Sequence, residues 1–400
     1  MKPTYLALTA LLMSTAPIFA EEATAWRLFV ADHGEPIVTV IDPAGAGEAQ
    51  KIPLAGSATL HRSASGKTIF AVQGVAGVVT AISSGISVDD HGDHGDIEVA
   101  APKLLSVEIP GKKPSHFVEH NGEIALFFDG EGVARIASEK NILQGNLELR
   151  EVSTAAPHHG VAVAWGSHAL LSEPNKEKPE ELPVGIRVVD ASGTQVGEVH
   201  ACPDLHGEAS SGDLLAFACA TGLLVVKGEN IPEISHLPYA ENLPDGKSTT
   251  LLGGKGLQYF LGNYGPDKIV LIDPATEKKQ DAFRLISLPA RRVHFAVDPV
   301  RPKFAYVFTE DGKLNQINVI DGSIIGSLKL TEPYSMDGHW SDPRPRVVVA
   351  GDRIVVTDPL AGKLHLVDAA NFEKAGEIPV DGKPFSIVAV GGSGETHAGE

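Results

Sequence analysis

A run of acidic residues and histidines, Asp89-Asp90-His91-Gly92-Asp93-His94-Gly95-Asp96, is the densest group of metal-binding side chains in this sequence. Neutral imidazole and carboxylate are natural ligands of a borderline divalent metal such as zinc. The glycines between them let the backbone bend so that several donors converge. We therefore take His91, Asp93, His94 and Asp96 as candidate metal ligands on a mobile collecting loop; the alternative is a solvated acidic loop.

A second set of histidines recurs at one place in the sequence, just before an apolar strand-like segment. A single histidine there would more often be a structural turn residue, but five or six coincidences need a common cause. These candidates are His61, His116, His159, His206, His294 and, in a less regular register, His339.

The segments that must position these histidines are short, alternating apolar stretches separated by turn residues. Lys303 to Thr309, the turn Glu310-Asp311-Gly312 and Leu314 to Asp321 form one such unit, and Arg353 to Asp368 repeats its order. Repeats of about 40 to 45 residues with four strands each are typical of β-propeller blades. Helical repeats have a similar period, but no segment shows a sustained helical apolar stripe.

The repeats predict one all-β domain, a β-propeller of about eight four-stranded blades, with seven as the alternative. The front unit, Trp26 to Leu54, lacks an innermost strand, and the tail, Pro384 to Val390, is a strand without a blade. Pairing the two would close the ring and remove its free edge. We expect the propeller to span 21–392, with 85–103 inserted as a long loop and 393–400 as a disordered tail.

In a propeller, the innermost strands line a central channel, so equivalent positions in successive blades face one axis. The recurring histidines would then meet there and supply the three or four donors that zinc prefers. His120 or Glu208 would complete or support the site.

The first twenty residues read as a secretory signal: one lysine, an apolar run from Tyr5 to Ala16, and Ala20 before two glutamates. We expect a monomeric periplasmic protein without a membrane span. Cys202 and Cys219 are then most simply a disulfide, with a thiolate metal site as the alternative. The net charge of −18 argues against nucleic acid as a partner and suits a cation.

Motifs of common enzymes are missing from the sequence: there is no Gly-x-Ser-x-Gly, His-Glu-x-x-His, phosphate loop or haem attachment site. We therefore expect no catalytic activity. Two alternatives stay open: a metal-dependent propeller enzyme resembling a lactonase or dehydrogenase, and an interaction scaffold whose histidines are structural.

The signal, the repeat type, the His-Gly-Asp-His-Gly-Asp loop and the opening Trp26-Arg27-Leu28-Phe29-Val30-Ala31-Asp32 together resemble the AztD family of periplasmic zinc metallochaperones. The resemblance covers the whole chain after the signal. It implies binding of Zn²⁺ and direct transfer to the solute-binding protein of a zinc ABC importer. It also implies that the loop donors His91, Asp93, His94 and Asp96 collect zinc and that the blade-start histidines hold it.

Overall fold

The computed structural model describes residues 21–44, 48–90 and 95–396, which form 34 β-strands, a short helix α1 (Glu139–Leu143) and a 3-10 turn (Lys279–Asp281). Among these residues no helix has the length and apolar character needed to cross a bilayer.

The strands of the first half are β1 (Glu21–Asp32), β2 (Ile37–Ile41), β3 (Gln50–Pro53), β4 (Thr59–Arg62), β5 (Thr68–Gln73), β6 (Val78–Ser83), β7 (Ile86–Asp90), β8 (Gly95–Val99), β9 (Lys103–Pro110), β10 (Pro114–His120), β11 (Glu123–Phe128), β12 (Val133–Ser138), β13 (Arg150–Ser153), β14 (Ala162–Trp165), β15 (His168–Glu173), β16 (Gly185–Val189) and β17 (Gln195–Ala201). Those of the second half are β18 (Glu208–Ser211), β19 (Leu214–Cys219), β20 (Gly222–Lys227), β21 (Glu233–Pro238), β22 (Leu251–Leu252), β23 (Phe260–Asn263), β24 (Lys268–Ile272), β25 (Phe283–Ser287), β26 (Arg292–Val297), β27 (Phe304–Thr309), β28 (Lys313–Asn318), β29 (Ser323–Lys329), β30 (Val347–Ala350), β31 (Arg353–Asp358), β32 (Lys363–Asp368), β33 (Glu373–Pro379) and β34 (Pro384–Thr396).

Eight sheets are arranged as the blades of a propeller, which confirms the predicted fold and the count of eight. Seven sheets have four strands, in the orders β4-β5-β6-β9, β10 to β13, β14 to β17, β18 to β21, β22 to β25, β26 to β29 and β30 to β33. We number these blades one to seven. Blade eight has the order β3-β2-β1-β34 and carries β8 and β7 beyond its innermost strand.

The two ends of the described chain close the ring, as the sequence predicted. β1 pairs antiparallel with β34 from Glu21↔Thr396 to Asp32↔Pro384. β34 thus supplies the innermost strand that the front unit lacks. This pairing completes blade eight from both ends of the described chain and so closes the ring.

The innermost strands contact their neighbours around a central channel and all run in the same direction through the ring. We call the face on which they begin the upper face. It carries the connections between blades and the turns between second and third strands. The lower face carries the remaining turns.

Apolar side chains are buried mainly between neighbouring blades, where eight clusters form the core. The second strand of a blade has both sides covered, so β5 and β31 are buried along almost their whole length. The outermost strands face solvent, and β17 and β33 are exposed along most of their length. This packing fixes each blade's rotation and thereby the direction of its inner side chains.

Two segments differ from the expectations from sequence. The predicted loop at 85–103 is largely a β-hairpin, in which β7 pairs with β8 on the lower face, and Asp96 pairs in register with Glu395 of β34. Residues 393–396 belong to β34 and are not a tail, because Glu21 to Thr24 provide them with backbone partners. The candidate ligands His91, Asp93 and His94 lie outside the described residues.

A disulfide and buried hydrogen bonds stabilise individual blades. Cys202 and Cys219 form a disulfide that joins the chain ahead of β18 to the end of β19, which confirms the predicted pairing. In blade seven, the buried Asp358 accepts hydrogen bonds from the Tyr334 hydroxyl (2.6 Å) and from His365 Nε2 (3.1 Å). These contacts satisfy polar groups that burial would otherwise leave unpaired.

Candidate metal centre

Three of the predicted histidines meet at the upper mouth of the channel. His116 lies near the start of β10, and His159 and His206 lie just ahead of β14 and β18. Their ring centroids are 4.8 Å (His116–His159), 5.5 Å (His159–His206) and 6.2 Å (His116–His206) apart. Residues from three successive blades therefore form one cluster, which we call the histidine cluster.

Each imidazole of the cluster has an oxygen atom beside its Nδ1. His116 Nδ1 lies 3.2 Å from Glu208 Oε1, and His159 Nδ1 lies 2.8 Å from Asp129 Oδ2. His206 Nδ1 lies 2.8 Å from the carbonyl oxygen of Thr249. An Nδ1–H group donating to each oxygen leaves the Nε2 lone pairs free, which is the tautomer that metal-binding histidines adopt.

The Nε2 atoms of His116 and His159 are 3.2 Å apart. Two nitrogens bound to one tetrahedral zinc at about 2.05 Å would be separated by about 3.3 Å. Without a cation, two lone pairs at this distance repel, so a shared proton is needed. The pair is therefore spaced for a cation, either a proton or a metal ion.

Charges in the cluster are set by the buried carboxylates. Burial lowers the pKa of His116, but the charge and hydrogen bond of Glu208 outweigh it and leave this pKa above its ordinary value. Burial alone would raise the pKa of Glu208, yet the His116 charge keeps it below its usual range. Burial keeps the pKa of His206 low, so that this imidazole is neutral at pH 7. Glu208 thus favours the protonated form of His116, whereas burial favours the neutral form of His206.

Two buried polar atoms beside the cluster have no hydrogen-bond partner among the described residues: His61 Nε2 and Glu208 Oε2. His61 stacks on Phe117 at 5.0 Å and feels the charges of His116 and Glu208. Burial, followed by the His116 charge, lowers its pKa to about 4, which makes His61 a neutral donor. Such orphaned atoms in a native structure point to a bound water or ion.

The donor set therefore fits zinc in chemistry and in tautomer. The donor atoms are not arranged around a common centre. Within 21–44, 48–90 and 95–396, no three His, Cys, Asp or Glu side chains are placed so that they could hold one metal ion. His116 and His159 have the required spacing, and His206 has to move toward them.

A cavity of about 700 Å³ lies near the lower face, lined by residues of blades one and five to eight and by none of the three cluster histidines. Its lining is mostly apolar and includes Val297, Val349 and Val390, with the cationic Arg62 and Lys255 among them. Apolar walls and positive charge disfavour a dication. A metal ion is therefore expected to reach the cluster from the upper face, where the His159 side chain is 40% exposed.

The remaining blade-start histidines lie elsewhere. His294 Nδ1 accepts a hydrogen bond from the Val347 backbone N–H (3.0 Å), and burial together with Arg346 and Arg292 holds its pKa well below the ordinary value. Two guanidinium groups beside it disfavour a metal cation.

His339 and His120 are also away from the cluster. His339 is exposed in the connection between blades six and seven, where its Nδ1 lies 2.7 Å from Ser341 Oγ. His120 lies four residues beyond His116, about 13 Å along the strand, and stacks on Trp165 at 4.0 Å. Asp96 lies on the lower-face hairpin, on the opposite face from the histidine cluster.

Asp129 is a functional candidate that the sequence did not reveal. It follows β11 in the turn Asp129-Gly130-Glu131-Gly132, where an aspartate is explained by local turn chemistry. The propeller brings this turn beside the start of the next blade, and Asp129 then orients His159. Its 3% exposed side chain also accepts a hydrogen bond from Ser115 Oγ.

Comparison with known proteins shows the family. No protein-family model matches the sequence. A relative named zinc chaperone AztD, from Citrobacter koseri, is 57% identical over 387 residues, which cover 96% of this chain and 91% of the relative. Its name is that of a chaperone and not of an enzyme.

Solved structures give the same relationship. The crystal structure of Citrobacter koseri AztD matches with a TM-score of 0.91 at 57% identity, covering 94% of this chain and 100% of that one. A structure of apo AztD from the same organism matches with a TM-score of 0.89 at 56% identity, over 93% of this chain and 99% of that one. The dihydro-heme d1 dehydrogenase NirN shares only the fold, with a TM-score of 0.58 at 14% identity over 90% of this chain and 74% of that one. The chain belongs to the AztD family.

Proposed function

We propose that this protein is a periplasmic zinc chaperone that binds Zn²⁺ at the histidine cluster and passes it to the solute-binding protein of a zinc ABC importer. The observation that carries the proposal is the convergence of His116, His159 and His206, each with an acceptor oxygen at Nδ1 that leaves Nε2 as the nitrogen to bind a metal. His61 or Glu208 would supply a fourth donor, because each has an unpaired buried atom beside the cluster. The name of the Citrobacter relative supports zinc as the cargo.

The cluster has properties that suit transfer more than permanent storage. His159 is half-exposed at the upper mouth, whereas Glu208 is only 10% exposed. An incoming donor from another protein can thus replace the outermost ligand first while the inner ligands still hold the ion. Such stepwise exchange avoids releasing a free dication into water.

The loop residues His91, Asp93, His94 and Asp96 are proposed to form a second, collecting site. Asp96 belongs to the hairpin on the lower face, so this site would act separately from the cluster. We further propose that residues 1–20 are a signal that exports the chain, and that the protein acts as a monomer. The disulfide between Cys202 and Cys219 suits an oxidising compartment.

A titration of the apoprotein with zinc, followed by elemental analysis after dialysis, tests the proposal. The double substitution His116→Ala/His159→Ala is expected to remove the tight site, because it removes two of the three converging nitrogens. The matched control is His168→Ala/His236→Ala, which removes one histidine at the lower-face end of β15 and one on the outermost strand β21.

Transfer is tested by mixing the zinc-loaded protein with the apo form of the importer's solute-binding protein in excess chelator. Zinc that reaches the acceptor in spite of the chelator supports direct transfer. Tight binding without transfer would reduce the proposal to zinc storage. A dialysed protein without zinc, or a double variant with unchanged stoichiometry and affinity, would leave the histidines as structural residues of a scaffold.

A further inference from the structure

The connection between blades six and seven, residues 331–346, presents a tryptophan to solvent. Trp340 is 82% exposed, whereas Trp165 is fully buried in the core. The connection joins the outermost strand β29 to the innermost strand β30, which places it on the upper face. This exposed indole therefore lies on the same face as the opening to the histidine cluster.

The loop around Trp340 is held in place by hydrogen bonds from the buried Arg344. Its guanidinium donates to the backbone carbonyls of Ser335 (2.9 Å), Asp337 (3.1 Å), His339 (2.9 Å) and Trp340 (3.4 Å) and contacts the Asp342 carboxylate (3.4 Å). A second clamp is the hydrogen bond from the His339 backbone N–H to Asp342 Oδ2 (2.9 Å). The backbone that carries the exposed indole is thus fixed by these hydrogen bonds.

Contacts lead directly from this loop to the channel wall. His33 Nε2 lies 2.7 Å from the carbonyl oxygen of Ser341, and the His33 ring meets the edge of Phe385 at 5.1 Å. Phe385 in turn lies under the Arg346 guanidinium at 4.5 Å, just ahead of β30. A partner seated on Trp340 would therefore cover the rim of the channel mouth.

A second apolar side chain and several carboxylates surround the tryptophan. Leu360 is 70% exposed, and its backbone N–H donates to the hydroxyl of Tyr334 in the same connection (3.0 Å). The carboxylates of the connection, Glu332, Asp337 and Asp342, lie at the surface, where Arg291 pairs with Asp337, whereas Arg344 beside Asp342 is buried. We call Trp340, Leu360, His339 and these carboxylates the Trp340 patch.

We propose that the Trp340 patch is the docking surface for the zinc-accepting protein, a partner with an apolar recess for the indole and a rim of lysine and arginine. The inference rests on the proposed function and adds where and how the acceptor binds. Tryptophan is among the residues that dominate binding energy at interfaces, and a rigid support lowers the entropy lost on docking. An acidic rim selects a basic partner and speeds its approach.

Trp340→Ala is the test, with Ile231→Ala as the matched control. Ile231 is 68% exposed in the turn between β20 and β21, which lies on the lower face. Binding of each variant to the apo solute-binding protein is measured by titration, and zinc transfer is measured separately with the loaded proteins. Thermal midpoint, zinc affinity and zinc loss to a small chelator show whether fold and metal site are intact.

Trp340→Ala is expected to weaken acceptor binding and slow protein-to-protein transfer by about tenfold or more, as for a central anchor residue, with the small-chelator rate unchanged. Ile231→Ala should behave as wild type, and wild-type binding should weaken with added salt. After the acceptor's own fluorescence has been subtracted, the emission of Trp340 should shift to the blue on binding.

Acceptor binding of Trp340→Ala at wild-type strength would overturn the docking surface while leaving the proposed function standing. A wild-type protein that binds the acceptor through Trp340 but transfers no zinc would overturn the proposed function alone. A sedimentation experiment in which the wild type is a dimer and Trp340→Ala a monomer would assign the patch to a second copy and overturn the inference.

Discussion

Replacing Asp129 by asparagine tests whether the histidine cluster is a metal site. Asp129 accepts the Nδ1–H of His159 at 2.8 Å and so directs the Nε2 lone pair toward His116. An asparagine can present its NH₂ group instead, which favours the tautomer with the proton on Nε2, where no metal can bind. The cluster would then lose one oriented donor while keeping every histidine.

The expected size of the effect follows from the role of the carboxylate. Loss of one orienting partner of a metal-bound histidine lowers affinity about 10- to 100-fold, which is about 1.4 to 2.8 kcal/mol. The matched control is Glu131→Gln, two residues away in the same turn, whose carboxylate pairs with Arg135 at 2.7 Å. That variant should bind zinc as the wild type does.

The assay is a competition titration with a zinc-binding dye at pH 7.5, repeated for both variants after circular dichroism has shown that they fold. Zinc affinity of Asp129→Asn within about threefold of wild type would show that His159 needs no orienting carboxylate, and this account of the site would be wrong. A similar loss in Glu131→Gln would point to a general disturbance of the turn.

Three further outcomes are expected. Cys202→Ser/Cys219→Ser should lower the free energy of unfolding by about 3 kcal/mol, because the bond closes a loop with a sequence separation of 17; equal denaturant midpoints would contradict this. As pH decreases, zinc affinity should start to fall at a higher pH than for a free imidazole, because Glu208 raises the pKa of His116 and a protonated ring cannot bind metal. Glu208→Gln should move this fall to lower pH. A pH profile that does not move would refute the link between Glu208 and His116. Asp358→Asn should lower the free energy of unfolding at pH 7 by about 1 to 3 kcal/mol. Burial would raise the pKa of Asp358, but its hydrogen bonds hold it below its usual value, so this stability is present above the unfolded pKa and lost as pH falls through the folded one; a difference that persists in acid would contradict the assignment.

The sequence predicted the architecture because repetition reports it directly. The missing inner strand of the Trp26 unit and the spare strand at Pro384 implied ring closure, and β1 and β34 pair as expected. His116, His159 and His206 were predicted together because each stands where an innermost strand begins. That position lies at one end of the channel in every blade, whatever the details of the turns.

What the repeat could not predict is the direction of a side chain and its environment. His294 occupies an equivalent strand position, but two guanidinium groups lie beside it. His339 stands in a longer connection, where Arg344 fixes a local loop of its own. Asp129 lies in a turn of blade two that comes near His159 of the next blade only in the folded ring, so no local sequence pattern identifies it. Three-dimensional neighbours from different blades decide these cases.

The pairing of β1 with β34 also determines how this molecule can be attached to something else. Glu21 and Thr396 are opposite each other where β1 begins and β34 finishes, at the lower face. A purification tag or a surface linker joined near either of these residues therefore points away from the upper mouth. Protein anchored in this way would leave the histidine cluster and Trp340 open to molecules in solution, whereas anchoring through turns between second and third strands would cover them.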